Sequence, residues 1–157
     1  MITESAVVLA TRGDARAIAE MSRAYIELGL GWSWNEARVA HAIVDPAINV
    51  AVVREGGGIV AFGIMSYREE SAHLSLFAVR RSHQRRGMGT RVLCWLEQVA
   101  RDAGIRSVRV ECRRDNLAAR NFYGEHAYHE RIITPGYYRG VEDAVRLEKW
   151  LAPPATA

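Results

Sequence analysis

Apolar residues recur along this 157-residue chain in two rhythms, and the switches between them mark out the elements. From Met88 to Ala103 the positions Met88, Val92, Leu93, Leu96, Val99, Ala100 and Ala103 fall on one stripe, so the spacing predicts an amphipathic helix that Gly104 ends. A shorter helical pattern follows Asp14, through Ile18, Ser22/Tyr25 and Ile26, with Asp14 as its cap and Gly29 and Gly31 as its breakers. Ser33 or Asn35 can start a second short helix, which should stop by Pro46. Asn116 opens a third that runs through Ala119, Phe122 and Tyr123. Between these lie β-branched or alternating runs. They are Ala6–Ala10, Ile48–Arg54, Ile59–Ser66, Ser71–Val79, Ser107–Cys112, about Tyr128–Ile133 and Ala144–Trp150. Glu55-Gly56-Gly57-Gly58 reads as a hairpin turn, and Pro135-Gly136 as the turn between the last two strands. On this reading one domain spans residues 1–152, and 153–157 form a loose tail.

The most informative junction is Gln84-Arg85-Arg86-Gly87-Met88-Gly89-Thr90, between the strand ending at Val79 and the long helix. The first N–H groups of a helix have no partner within it, and the helix dipole favours an anion there. Gly87 and Gly89 lack the Cβ atoms that would hold a bulky diphosphate away, and Arg85 and Arg86 add positive charge. A strand that turns through two glycines into a helix therefore predicts a pyrophosphate cradle.

Composition narrows the class. The chain is 49% hydrophobic and 25% charged, with a formal charge of +3 and Lys149 as its only lysine. That excess suits an anionic ligand and is too small to argue for nucleic acid. Arg80-Arg81 and Arg85-Arg86 also lack the interleaved aromatics of a nucleic-acid surface. Cys94 and Cys112 have no metal-ligand spacing, so reduced thiols and no metal are expected. No apolar run approaches the roughly 20 residues that span a bilayer, and no basic leader precedes the first strand, so a cytoplasmic protein without a membrane partner is expected.

These motifs resemble the GNAT acetyltransferase superfamily. Its acetyl-CoA motif, Gln/Arg-x-x-Gly-x-Gly/Ala, is matched by Gln84-Arg85-Arg86-Gly87-Met88-Gly89, and its Asn-opened helix ending in Phe-Tyr by Asn116 and Phe122-Tyr123. The resemblance implies an α/β (α+β) fold. The expected sheet is central and mixed, mostly antiparallel, with about seven strands and helices on both faces. It would be parallel only where strands four and five splay to admit acetyl-CoA as co-substrate. Within the superfamily the back half is most similar to the bacterial ribosomal-protein alanine N-acetyltransferase group, through Glu111-Cys112-Arg113, Asn116, Phe122-Tyr123, Tyr137-Tyr138 and Glu142-Asp143-Ala144. That likeness implies Glu111 as base and Tyr123 as acid. It implies Phe77, Val79, Gln84, Arg85, Arg86, Gly87, Met88, Gly89, Thr90 and Asn116 at the cofactor, with the Val79 N–H facing the developing oxyanion. Tyr137 and Tyr138 are expected on the loop beside the acceptor, and Trp32 on the connection forming its other wall. Relatives are often dimers, so a homodimer is compatible with the resemblance. Departures are Ala127 where a helix-end glycine is common, Thr134-Pro135-Gly136 in place of basic residues, and Ser75 where many relatives carry a catalytic Glu.

Acetyl transfer to nitrogen requires a neutral amine. Deprotonating a lysine of pKa about 10.4 at pH 7 costs roughly 4–5 kcal/mol, whereas an α-amine near 7.7–8.0 costs only about 1 kcal/mol. A protein N-terminus thus asks less of a single carboxylate such as Glu111, acting directly or through a water, and is the favoured acceptor. His73, on the same alternating face as Ser75 and Phe77, is the alternative base. The competing readings are acetylation of a small polyamine, amino sugar or toxic amine, and a non-catalytic acyl-CoA sensor.

Overall fold

The computed structural model describes residues 6–152; the expected tail at 153–157 lies outside the described residues. Among those residues the chain builds β1 (Val7–Leu9), α1 (Ala15–Met21), α2 (Glu36–Val44), β2 (Ile48–Glu55), β3 (Gly58–Arg68), β4 (Ser71–Val79), α3 (Met88–Asp102), β5 (Ser107–Arg113), α4 (Leu117–Glu125), β6 (His129–Tyr138) and β7 (Glu142–Trp150). The strands form one seven-stranded sheet in the order β1-β2-β3-β4-β5-β7-β6. Every neighbouring pair is antiparallel except β4 with β5. This is the mixed, mostly antiparallel sheet that the resemblance implies.

Each face of the sheet carries its own core. On one, Val92, Leu93, Leu96 and Ala100 of α3 pack on Ala51, Val53, Met65, Leu74, Val108 and Val110, and α4 joins them through Phe122 and Tyr123. On the other, Ile18 of α1 and Val39 of α2 pack on Val50, Val52, Phe62, Ile64 and Leu76. Fully burying a side chain of this size contributes about 1.5–3 kcal/mol. Helix α3 presses so closely that a Cβ on Gly63 would stand 2.7 Å from Leu96 Cδ1.

A β-bulge in β4 alters one expectation. Pairing steps from Ile64 with Leu76 to Met65 with Leu74, so Ser75 is an extra residue. The faces exchange across it. His73 therefore lies on the face of α1 and α2, while Phe77 packs with the α3 core, and the two do not share a face as strict alternation predicts.

The ends of elements also depart from the sequence reading. Asp14 closes a short 3-10 turn, Arg12–Asp14, rather than simply capping α1. Its carboxylate accepts from Thr11 N at 2.8 Å and pairs with the Arg54 guanidinium, whose second nitrogen lies 2.6 Å away. The helix then widens into a π turn over Ser22–Ile26. Asn35 starts α2, accepting from Arg38 N at 3.0 Å. Pro135-Gly136 is not the final turn. It lies within β6 as a bulge, where Gly136 has φ +65° and its N–H donates to Asp143 Oδ1 at 3.0 Å. The chain reverses instead at Arg139 and Gly140, both at positive φ, and Val141 N donates to Tyr138 O. Two consecutive positive φ angles give the turn whose twist suits a hairpin.

Candidate active site

The predicted cradle is built at the start of α3. Gly87 has φ +77°, and no side chain caps the helix it precedes. Arg85 is also left-handed, at φ +64°. A Cβ at Gly87 would meet nothing within 4 Å, so this glycine keeps open the space in front of the helix. Gly89 serves differently. Its Cβ would stand 3.3 Å from the rings of Phe122 and Phe77, so it lets α3 settle against an aromatic wall. Gln84 braces the turn, with Nε2 donating to Val79 O at 3.0 Å.

A cleft of about 1070 Å³ runs from this turn. It exists because β4 and β5 pair only over Ser71–Leu74 and Ser107–Val110, then part. Beyond that point β4 keeps an unpaired edge. Arg80 N donates to Val60 O on β3, so the Val79 N–H, one residue back on the strand, faces the opposite way into the gap. Phe77 stacks on Phe122 at 5.5 Å, and Tyr123 meets both rings. Thr90 Oγ1 lies 2.9 Å from His126 Nε2, whose Nδ1 lies 2.8 Å from Phe122 O.

Glu111 and Tyr123 both line the cleft, although neither is freely exposed. The Glu111 side chain is only 6% exposed. Its Oε1 lies 2.9 Å from His73 Nε2 and accepts from Tyr137 Oη at 3.0 Å. Burial alone pushes its pKa up. The His73 hydrogen bond and charge, the Tyr137 hydroxyl and the Arg109 charge outweigh that, and the carboxyl titrates below its ordinary value. Tyr123 is 4% exposed, and burial drives its pKa well above 10, with the neighbouring Cys112 and Tyr138 adding to the shift. Tyr138, also on the cleft wall, is raised chiefly by burial.

The expected residues divide into three groups. Phe77, Val79, Gln84, Arg85, Gly87, Gly89, Thr90, Asn116 and Tyr138 line the cleft with the two candidate catalytic groups. Asn116 also caps α4, accepting from Ala119 N at 3.0 Å. Arg86 is exposed, and Met88 is buried in the α3 core, so Met88 can serve a ligand only through its backbone. Trp32 and Tyr137 are not on the cleft wall. Trp32 donates from Nε1 to Ala19 O at 3.1 Å beneath the Arg23 guanidinium, so it anchors its loop to α1. Tyr137 reaches the cleft only through Glu111.

Sequence reasoning missed the residues that fix the walls. Glu27, 9% exposed, accepts from Ser22 Oγ, from Ser33 N at 2.8 Å and from Trp34 N at 3.1 Å, and so organises the connection between α1 and α2. Arg113 Nη2 donates to Ile26 O at 3.0 Å and to Leu28 O, tying that connection to β5. No local spacing marks a lone acid or arginine as such a hub. Among the described residues no group of three His, Cys, Asp or Glu could hold a metal ion, and no helix is long and apolar enough to cross a membrane.

A strand pair that parts above an uncapped, glycine-led helix defines a class, and comparison with known proteins agrees with it. Residues 17–128 match the acetyltransferase (GNAT) family, and the chain belongs to that family. An uncharacterised N-acetyltransferase of Methanocaldococcus jannaschii is 31% identical over 94 residues, 59% of this chain, and the match spans 60% of that relative's length. The crystal structure of the ribosomal-protein-S18-alanine N-acetyltransferase from Escherichia coli superposes with a TM-score of 0.79 at 22% identity, covering 96% of each chain. An N-acetyltransferase from Thermoplasma acidophilum, crystallised in complex with coenzyme A, gives a TM-score of 0.78 at 14% identity, covering 92% of this chain and 97% of its own.

Proposed function

We propose that this chain transfers an acetyl group from acetyl-CoA to a primary amine, with a protein N-terminal α-amine as the favoured acceptor. The observation that carries the reading is the cleft itself, which joins the uncapped start of α3 to Glu111 and Tyr123 where β4 and β5 part. The backbone N–H groups of Met88, Gly89 and Thr90 and the Arg85 guanidinium would hold the diphosphate, in the space that Gly87 keeps clear. Acetyl-CoA supplies a thioester whose carbonyl carbon an amine can attack. The Val79 N–H, turned into the gap, is placed to donate to the carbonyl oxygen as charge gathers there.

Glu111 and His73 act together on the amine proton. The carboxylate stays ionised at neutral pH, because its partners hold its pKa down, and with the imidazole 2.9 Å away it offers an acceptor for the amine proton. An α-amine requires only about 1 kcal/mol of such help at pH 7. Tyr123 has the complementary property: burial keeps its hydroxyl protonated across the physiological range, so it is always available to donate toward the departing sulfur.

Mixing the protein with acetyl-CoA and a panel of peptides and small amines tests this through thiol release. Tyr123→Phe should lower kcat about 100-fold with acetyl-CoA affinity retained, the range expected for loss of a general acid. Turnover only with non-peptide amines would replace the peptide acceptor by a small molecule. Binding with no turnover that Tyr123→Phe or Glu111→Gln alters would leave an acyl-CoA sensor. Absence of both thiol release and acetyl-CoA binding would overturn the reading.

A further inference from the structure

Two arginines beside Glu111 are not committed in the way their neighbours are. Arg113 is spent on two backbone carbonyls, Arg120 makes a two-pronged pair with Glu130, Arg114 pairs with Asp143, and Arg131 lies 3.8 Å from Glu148. Arg109 and Arg146 approach Glu111 Oε2 most closely through Nε, at 3.3 and 3.9 Å. Neither contact is a hydrogen bond: both Nε atoms and Oε2 are buried without a hydrogen-bond partner. Both arginines thus lie beside the carboxylate without a hydrogen bond between Nε and Oε2, and their side chains remain 43% and 36% exposed. Glu111 Oε1 is already taken by His73 and Tyr137.

Their position matters as much as their freedom. Arg146 stands directly across from Glu111 on β7, and Arg109 lies two residues before it on the same face of β5. That face lies beside the point where β4 and β5 part. Arg109 and Arg146 lie outside the cleft wall and adjoin it through Glu111, and with one carboxylate between two guanidinium groups this cluster carries an excess of positive charge. Glu148, opposite Arg109 in register, is turned to Arg131. The hairpin tip adds Arg139, whose guanidinium carbon lies 3.4 Å from where a Cβ of Gly31 would stand. A polycationic acceptor meets repulsion here, and a lone ammonium does too. An acceptor that brings its own carboxylate close to the reacting amine neutralises the pair, and a guanidinium fork fits a carboxylate in two-pronged geometry.

We propose that Arg109 and Arg146 form an anion-recognition site that selects amine acceptors carrying a carboxylate near the amine. This rests on the acetyl-transfer reading above and names its substrate class. Two sources share the chemistry: an Asp or Glu in the first positions of a peptide, and the α-carboxylate of a free amino acid.

The test measures thiol release from acetyl-CoA with matched acceptors. The peptides begin with alanine and carry Asp, Asn or Lys at the second and third positions; free aspartate, its amides and spermidine complete the panel. The wild-type protein should show a KM at least about tenfold lower for the carboxylate acceptor than for its amide, the scale of one charge-assisted pair. Arg109→Gln and Arg146→Gln should each shrink that ratio toward one while the acetyl-CoA dissociation constant holds. Arg146→Lys, which keeps the charge and loses the fork, should restore part of it. Peptides and free amino acids report separately, so preference for acidic amino acids with all peptides inert would sustain this site while removing the N-terminal acceptor. Equal KM for acid and amide in the wild type, or a preference for the lysine peptide or spermidine, would overturn the proposal with acetyl transfer left standing. No turnover with any amine would end both.

Discussion

Gly87 and Gly89 look interchangeable in the sequence, but their surroundings differ. At Gly87 the backbone is left-handed, which costs a residue with a Cβ about 1–2 kcal/mol, and the new methyl would project into the open space before α3. Gly87→Ala should therefore weaken acetyl-CoA binding at least about tenfold by calorimetry, with a small loss of stability. Gly89→Ala should do the reverse, lowering the melting temperature by pressing on Phe77 and Phe122 and leaving much of the affinity. The two cysteines divide as clearly. Cys94 is exposed, whereas Cys112 is buried on the cleft wall. Burial pushes the Cys112 thiol up to about 11, opposed by Arg120 and assisted by Glu130 and Glu111. Only the thiolate reacts. Alkylation at pH 8 should thus give one rapid adduct, at Cys94, in the intact mass spectrum. Rapid labelling of Cys112 would contradict this burial.

At the scale of elements, the α1–α2 connection owes its shape to Glu27. Burial raises its pKa, but hydrogen bonds from Ser33, Ser22 and Trp34 bring it below the ordinary value. A group lowered in this way contributes stability that is present above its unfolded value and lost as pH falls through the folded one. Glu27→Gln should cost about 2 kcal/mol at pH 7, because a carboxamide nitrogen would face N–H donors. The gap between variant and wild type in thermal melts should close as pH falls from the ordinary glutamate value through the lower folded one. Strands and helices were legible because they bury one face at a fixed period, as β5 and α3 do. The bulge at Ser75, the kink at Pro135-Gly136 and the π turn after Met21 were not, since tertiary packing rather than local preference sets them. The candidate site follows the same rule. The Gln84–Thr90 turn is local and readable, whereas the Glu111 cluster gathers β4, β5, β6 and β7 and becomes visible only once the sheet is assembled.

For the whole molecule, the cleft is a gap within the sheet. The sheet is continuous on both sides of β4 and β5, but these two strands share only four register pairs. A ligand that fills the gap joins the half of the sheet built on β2 and β3 to the half built on β5 and β7. Acetyl-CoA at a hundredfold over its dissociation constant should add about 2.7 kcal/mol to unfolding, raising the melting temperature by roughly 5–10 °C. Scanning calorimetry with and without the thioester measures this directly.

The outermost strand carries a consequence of its own. Among the described residues β6 closes the sheet order with no strand on its far side, and its Ile132 and Ile133 are exposed. A straight, apolar border of that kind invites further copies to add strand by strand. Pro135 offers no N–H to an incoming chain, and the kink beside it throws the ladder out of register. The same irregularity that carries Tyr137 to Glu111 thus also guards the molecule against fibrous self-association.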